Sequence, residues 1–187
     1  MPVQDSRVWI GSAVVAAVLL AGCSSMNAGD CQQANWEALG YDDAADGRST
    51  GRLDARAKAC TEHGVGADRA GYLRGWGRGI QSFCTPARGQ QWGESGRSYT
   101  PGYCPPSLEG AFLSTYQPAL ARHNYEEALR DLDDEMERVR RRIVGLQARE
   151  RKGENVRAAL NRERLQLESL RDQKQTEMAL PPSHRRY

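Results

Sequence analysis

From Leu129 onward the apolar positions step by three and four: Leu129, Leu132, Met136, Val139, Ile143 and Leu146. That rhythm is the a/d seam of a coiled coil, and charged residues fill the other faces. The seam fails around 151-RKGEN-155 and resumes at Val156, Leu160, Leu167 and Leu170, interrupted by Glu163 and Lys174. Two segments of similar length around a polar, glycine-containing joint predict an antiparallel helical hairpin over 117–179. Each arm of roughly 25 residues would reach about 37 Å at 1.5 Å per residue. The competing arrangement is one long helix with a register slip, which needs a partner chain. The tail, 180–187, is expected to be disordered.

Before residue 105 the pattern changes. Glycine, rare later, is frequent, and all the cysteines fall here. Helices are expected over about 33–46, 52–62 and 67–83. The second carries Leu53, Ala57 and Cys60 on one face, with His63 and Gly64 as a stop. Asp68 is a candidate first-turn acid for the third. Residues 85–104, rich in Gly, Ser, Pro and Gln, are expected to form an ordered loop.

The third helix holds Gly71, Gly75 and Gly79 at intervals of four. Each costs about 0.8–1 kcal/mol relative to alanine. Small residues at this spacing let a second backbone approach closely. Gly40 and Ala44 offer a matching series in the first helix, so the two faces are expected to meet, with Tyr41 and Trp76 flanking the contact. A faint repeat supports this: 40-GYDDA-44 aligns with 75-GWGRG-79, and 92-WGESG-96 is a weaker echo. The fold class that follows is mainly α. A small helical domain over 31–116 precedes a charged, coiled-coil-like hairpin, with the change of character near Pro105-Pro106.

The start of the chain belongs to neither region. Residues 8–22, VWIGSAVVAAVLLAG, carry no charge and are shorter than the roughly twenty residues of a membrane span. They fit the hydrophobic part of a signal peptide covering 1–22. The segment ends 19-LLAGCSS-25, which resembles the bacterial lipobox. That resemblance implies cleavage before Cys23, a diacylglycerol on its sulfur, a linker over 23–30, and membrane attachment through the acyl chains. Ser24 rather than Asp after the lipidated cysteine implies the outer membrane, on its periplasmic side.

Cys31, Cys60, Cys84 and Cys104 remain, an even set that reads as two disulfides in an oxidising compartment. Three pairings are open; the nearest-neighbour scheme, Cys31–Cys60 with Cys84–Cys104, is favoured. Each bridge would stabilise a small core by about 3 kcal/mol. A zinc site is disfavoured, since no C-x-x-C pair occurs and His63, His123 and His184 lack ligand spacing. The formal charge of +2 gives no electrostatic footprint for nucleic acid.

No G-x-S-x-G, H-E-x-x-H or phosphate loop is present, and 75-GWGRG-79 departs from G-x-G-x-x-G. Asp42, Asp43 and Asp46 are expected to form a solvated helix face rather than a cation site. Trp36 and Trp76 are expected in the core. Trp92, with Arg97 and Tyr99, is a candidate platform for a sugar such as peptidoglycan glycan. Glu94 lacks the second carboxylate that glycan cleavage requires.

The order 35-NWEALGYDDAADGR-48, 57-AKACTEHGV-65, 68-DRAGYLRGWGRGIQSFCTP-86, 92-WGESGRSY-99 and 103-YCPPSLEGAFLSTY-116 resembles the bacterial lipoprotein family known as domain of unknown function 2799. The resemblance covers about residues 31–116. It implies an architecture and a location, with no catalytic residues and no cofactor. The expected function is a non-catalytic envelope lipoprotein that binds or scaffolds another envelope protein. The alternative is a carbohydrate-binding module built on the Trp92–Tyr99 loop. Oligomeric state is left open.

Overall fold

A computed structural model describes residues 26–180. The signal segment, Cys23 and the tail from Pro181 lie outside the described residues. Within them the chain forms seven α-helices and no strand. They are α1 (Ala28–Gln32), α2 (Trp36–Ala45), α3 (Gly51–Glu62), α4 (Arg69–Phe83), α5 (Pro86–Glu94), α6 (Pro106–Arg151) and α7 (Arg157–Ala179).

Local signals set most of the boundaries. The Asn35 side chain takes the Ala38 N–H at 3.0 Å and starts α2. The helix expected over 33–46 therefore begins later, behind a separate short α1 with its own capping box of Asn27 and Asp30. His63 and Gly64 close α3 as expected. Asp68 is the N-cap of α4, accepting from the Gly71 N–H.

Residues 85–104 are not simply a loop, because α5 occupies the first half. The start signals were present: the Thr85 hydroxyl caps the Arg88 N–H, and Pro86 occupies the first turn. Glycine content suggested a loop, but Gly89 and Gly93 serve packing instead.

Two small cores each enclose one disulfide. Cys31–Cys60 sits with Met26, Trp36, Leu53 and Tyr72. Cys84–Cys104 sits with Ile80, Phe83, Trp92, Phe112 and Tyr116. Trp76 packs against both. The nearest-neighbour pairing is the one formed, with Cα–Cα distances of 5.4 and 5.7 Å.

Glycine brings the helices together. A Cβ on Gly75 would overlap the Glu37 carbonyl of α2, and one on Gly40 would overlap the Tyr72 carbonyl of α4. The contact is reciprocal, each glycine meeting the carbonyl three residues before the other. The repeat in the sequence is thus a local two-fold relation between α2 and α4. Gly79 completes the seam against the Tyr41 carbonyl and the Ala44 side chain. Gly71 does not belong to it; its nearest neighbour is the side chain of its own N-cap, Asp68. A second seam joins α5 to α6, with Gly89 on the Phe112 carbonyl and Gly93 on the Tyr116 carbonyl.

Helix α6 starts at Pro106, where the composition changes, and runs 46 residues without a break. No joint falls at 116–117, where the first domain was expected to end. Phe112 and Tyr116 are buried on the same helix ahead of the Leu129 seam, and Pro118 stands on the exposed side. The hairpin itself forms as expected. The chain turns at 152–156, where Gly153 has φ +86, and α7 returns along α6. Met136, Val139, Leu167 and Leu170 fill the seam. Its two polar interruptions pair across it: Glu163 with Arg142 at 2.9 Å, and Lys174 with Asp133 at 2.6 Å. Such pairs fix register.

Candidate functional site

The most concentrated polar chemistry in the fold surrounds Asp43. On α2, Trp36, Gly40, Asp43 and Ala44 share the buried face, so Asp43 is carried inward with the apolar residues. Its side chain is 1% exposed. Arg56 of α3 holds it with two hydrogen bonds, Nε at 3.2 Å and Nη2 at 3.0 Å. The Tyr72 hydroxyl of α4 donates at 2.8 Å. Arg48 donates at 3.3 Å, and Arg52 Nε stands at 3.5 Å.

Burial pushes the Asp43 carboxyl up, but hydrogen bonds from Arg56 and Tyr72 and the charges of Arg56 and Arg52 outweigh it. The net shift is downward, and Asp43 is ionised at neutral pH. Burial, then the Asp43 carboxylate, pushes the Tyr72 phenol well up, so it stays a donor. Both oxygens of the carboxylate are thus occupied by donors within the fold. The cluster clamps α2, α3 and α4 together. The turn after α2 is tied from outside as well. Tyr103 donates to the Ala44 and Arg48 carbonyls, Trp76 Nε1 to the Arg48 carbonyl, and Arg88 to the Ala45 carbonyl.

The expectation of a solvated Asp42–Asp43–Asp46 face fails at Asp43. Asp42 is exposed, and Asp46 pairs with Arg48 at 3.4 Å. Two signals pointed inward. Asp43 lies seven residues after Trp36 and three after Gly40, and Arg48, Arg52 and Arg56 recur every four residues.

The candidate sugar platform is taken apart by the packing of α5. Gly89 and Gly93 draw that helix onto α6, which turns Trp92 into the core at 7% exposure. Its Nε1 donates to the Ser98 carbonyl, the Phe83 ring abuts it at 4.9 Å, and the Arg97 guanidinium lies 3.8 Å over its ring. The Tyr99 hydroxyl donates to Glu109 at 2.8 Å and accepts from the Cys104 N–H. The three residues are neighbours, but the ring and polar end of Trp92 and the hydroxyl of Tyr99 are spent on internal contacts, while Arg97 is exposed. Cys23, the lipidation candidate, lies outside the described residues. Gly40, Ala44, Gly75 and Gly79 are brought together as expected.

What the geometry of the described residues defines is a mainly α fold: a doubly stapled, glycine-seamed helical domain that continues into a charged hairpin. Residues 35–121 match the family model described as protein of unknown function (DUF2799), so that stretch is a domain of this family. The match spans α2 to α5 and the start of α6, and ends before the hairpin. Neither a curated protein nor a solved structure matches the chain.

Proposed function

We propose that this protein is a non-catalytic, lipid-anchored protein of the bacterial envelope that works by holding another protein through its helical hairpin. The observation that carries the reading is the hairpin itself. Helix α7, 23 residues long, extends about 35 Å along α6, and α7 with the part of α6 beyond residue 121 lies outside the matched residues. Paired helices with charged flanks are a common way to present a binding surface. The two disulfides support an exported, oxidising location. No described helix is long and apolar enough to cross a membrane, so attachment is assigned to acyl chains on Cys23, at the periplasmic face of the outer membrane.

Two measurements test the proposal. Labelling cells with a radioactive fatty acid should mark the wild-type chain and not Cys23→Ser. Photo-crosslinking groups placed along the exposed faces of α6 and α7 should capture a discrete protein in intact cells. An unlabelled wild-type chain, or a hairpin that captures nothing, would defeat the reading.

A further inference from the structure

The hairpin's charge is divided by position along its length. Its distal half, residues 138–164, carries ten basic and three acidic side chains. Its proximal half, residues 126–137 and 165–179, carries ten acidic and three basic ones. Because the arms are antiparallel, the fold sets the basic part of α6 beside the basic part of α7, and acid beside acid. Ion pairs such as Arg142–Glu163 and Lys174–Asp133 relieve part of this, but a group of charges is left over. On α7 six charged side chains, Arg157, Arg162, Arg164, Glu168, Arg171 and Asp172, are exposed and form no ion pair. Four of them, Arg157, Arg164, Glu168 and Asp172, follow helical spacing along one flank of the buried seam. Leu165, at the middle of that row, is 65% exposed. An open groove of about 780 Å³ lies between α6 and the acidic end of this row, lined by Leu132, Leu165, Glu168 and Asp172 among others.

We propose that this face pairs with the same face of a second copy, the two hairpins lying antiparallel. The inference rests on the reading of the hairpin as the interaction surface and names its occupant. With a two-fold axis between positions 164 and 165, position 157 lies opposite 172 and position 161 opposite 168. Arg157 then faces the partner's Asp172. Arg164 lies within one turn of the partner's Glu168, and Leu165 packs beside the partner's Leu165. Such an interface is isologous: one patch, basic at one end and acidic at the other, is complementary to itself when reversed. The arrangement also cancels the like-charge crowding of each isolated hairpin, since every basic half meets an acidic one. A partner with a single sign of charge would satisfy only one half.

The test uses the full lipidated chain in non-ionic detergent, with its mass followed by sedimentation. A dimer is expected at low salt, weakening as salt rises. Reversing one end with Arg157→Glu and Arg164→Glu should weaken self-association at least about tenfold, as should Glu168→Arg with Asp172→Arg. Mixing the two double variants, or combining all four changes in one chain, should restore it. All four positions are exposed, and thermal melts of each variant should match the wild type. A monomer at low salt, or a dimer indifferent to the reversals, would overturn the proposal. A monomer whose hairpin still captures another envelope protein in cells overturns self-pairing alone. A monomer that captures nothing removes the proposed function too. A monomer retained on phosphatidylglycerol vesicles through its distal arginines would make that half a membrane-facing surface, and would also overturn self-pairing.

Discussion

The stapled domain and the hairpin solve helix packing in opposite ways. In the domain, helices touch through their backbones. Gly40, Gly75 and Gly79 leave no room for a side chain between α2 and α4, and Gly89 and Gly93 repeat the device between α5 and α6. Closeness on that scale leaves few other arrangements, and two disulfides and the Asp43 clamp narrow them further. In the hairpin, side chains interdigitate along a seam, and ion pairs choose the register. Its two glycines, Gly145 and Gly153, meet nothing within 4 Å. The first design specifies one shape through sterics; the second holds its shape through many replaceable contacts and leaves its outer faces free for other uses.

The largest expected contrast comes from one substitution made in both regions. Gly75→Leu drives a side chain into the Glu37 backbone, where no flexible neighbour can yield. Overpacking commonly costs about 1–3 kcal/mol and more where backbone must move; a clash with backbone on both sides of a seam belongs to the upper end. The expected outcome is loss of the cooperative melt of the domain. The same change at Gly145 meets open space and should leave that melt intact. An unchanged melting temperature for Gly75→Leu would remove the seam as an explanation.

Asp43 comes next. Removing one partner from a buried, paired charge costs about 3–5 kcal/mol, since the arginines lose their counter-ion. Asp43→Ala should lower stability by that order in a urea titration at neutral pH. The pH dependence has a definite sign. The folded carboxyl titrates below its unfolded value of about 3.9, so its stabilisation is complete above that pH and is lost as pH falls through the lower, folded value. Asp43→Asn should therefore flatten the acid limb below about pH 4 while leaving the neutral-to-alkaline profile parallel to wild type. A wild-type acid limb in Asp43→Asn would mean that other carboxylates carry it.

How much of this comparison could be read from the chain follows the same division. The hairpin was legible because its information is periodic: Leu132, Met136, Val139 and Ile143 announce a seam, and 151-RKGEN-155 announces its turn. The α2–α4 seam was legible for a related reason, since matched small residues at intervals of four admit few uses. Helix α5 was obscured because the glycines that pack it against α6 are the same residues that ordinarily mark a loop. Trp92 was misplaced with it: an aromatic ring in a presumed loop suggests a binding platform, and the same ring in a helix turned toward Phe112 is core. Asp43 was missed because a carboxylate among carboxylates is usually solvated. Its three arginines arrive from α3 and the preceding turn, a tertiary fact that only the spacing of 48, 52 and 56 foreshadowed. The charge division of the hairpin needed no structure to count, but the hairpin had to exist before like charges became neighbours.

Reduction should separate the two regions at intermediate cost. The Cys84–Cys104 bridge closes a loop with a sequence separation of 20, for which the chain-entropy account gives about 3 kcal/mol. Cys84→Ser with Cys104→Ser should lower the stability of the second core by about that amount. Hydrogen exchange along α7 should stay at its wild-type rate, because no disulfide touches the seam formed by Met136, Val139, Leu167 and Leu170. Faster exchange in α7 as well would mean that the unbroken α6 couples hairpin and domain into one cooperative unit.

The smallest effect runs in the favourable direction. Gly145 lies inside α6, is exposed, and has open space where a Cβ would go. Here glycine serves no contact, and its backbone freedom only opposes the helix. Gly145→Ala should stabilise the hairpin by about 0.5–1 kcal/mol, the ordinary difference in helix propensity. Gly40→Ala, the same chemical change in the domain, places its methyl on the Tyr72 carbonyl and should destabilise. Opposite signs from one substitution would separate glycine retained for close approach from glycine merely tolerated. If Gly145→Ala also destabilised, the open face of α6 would be in contact with something, and a second chain seated there would become the first thing to look for.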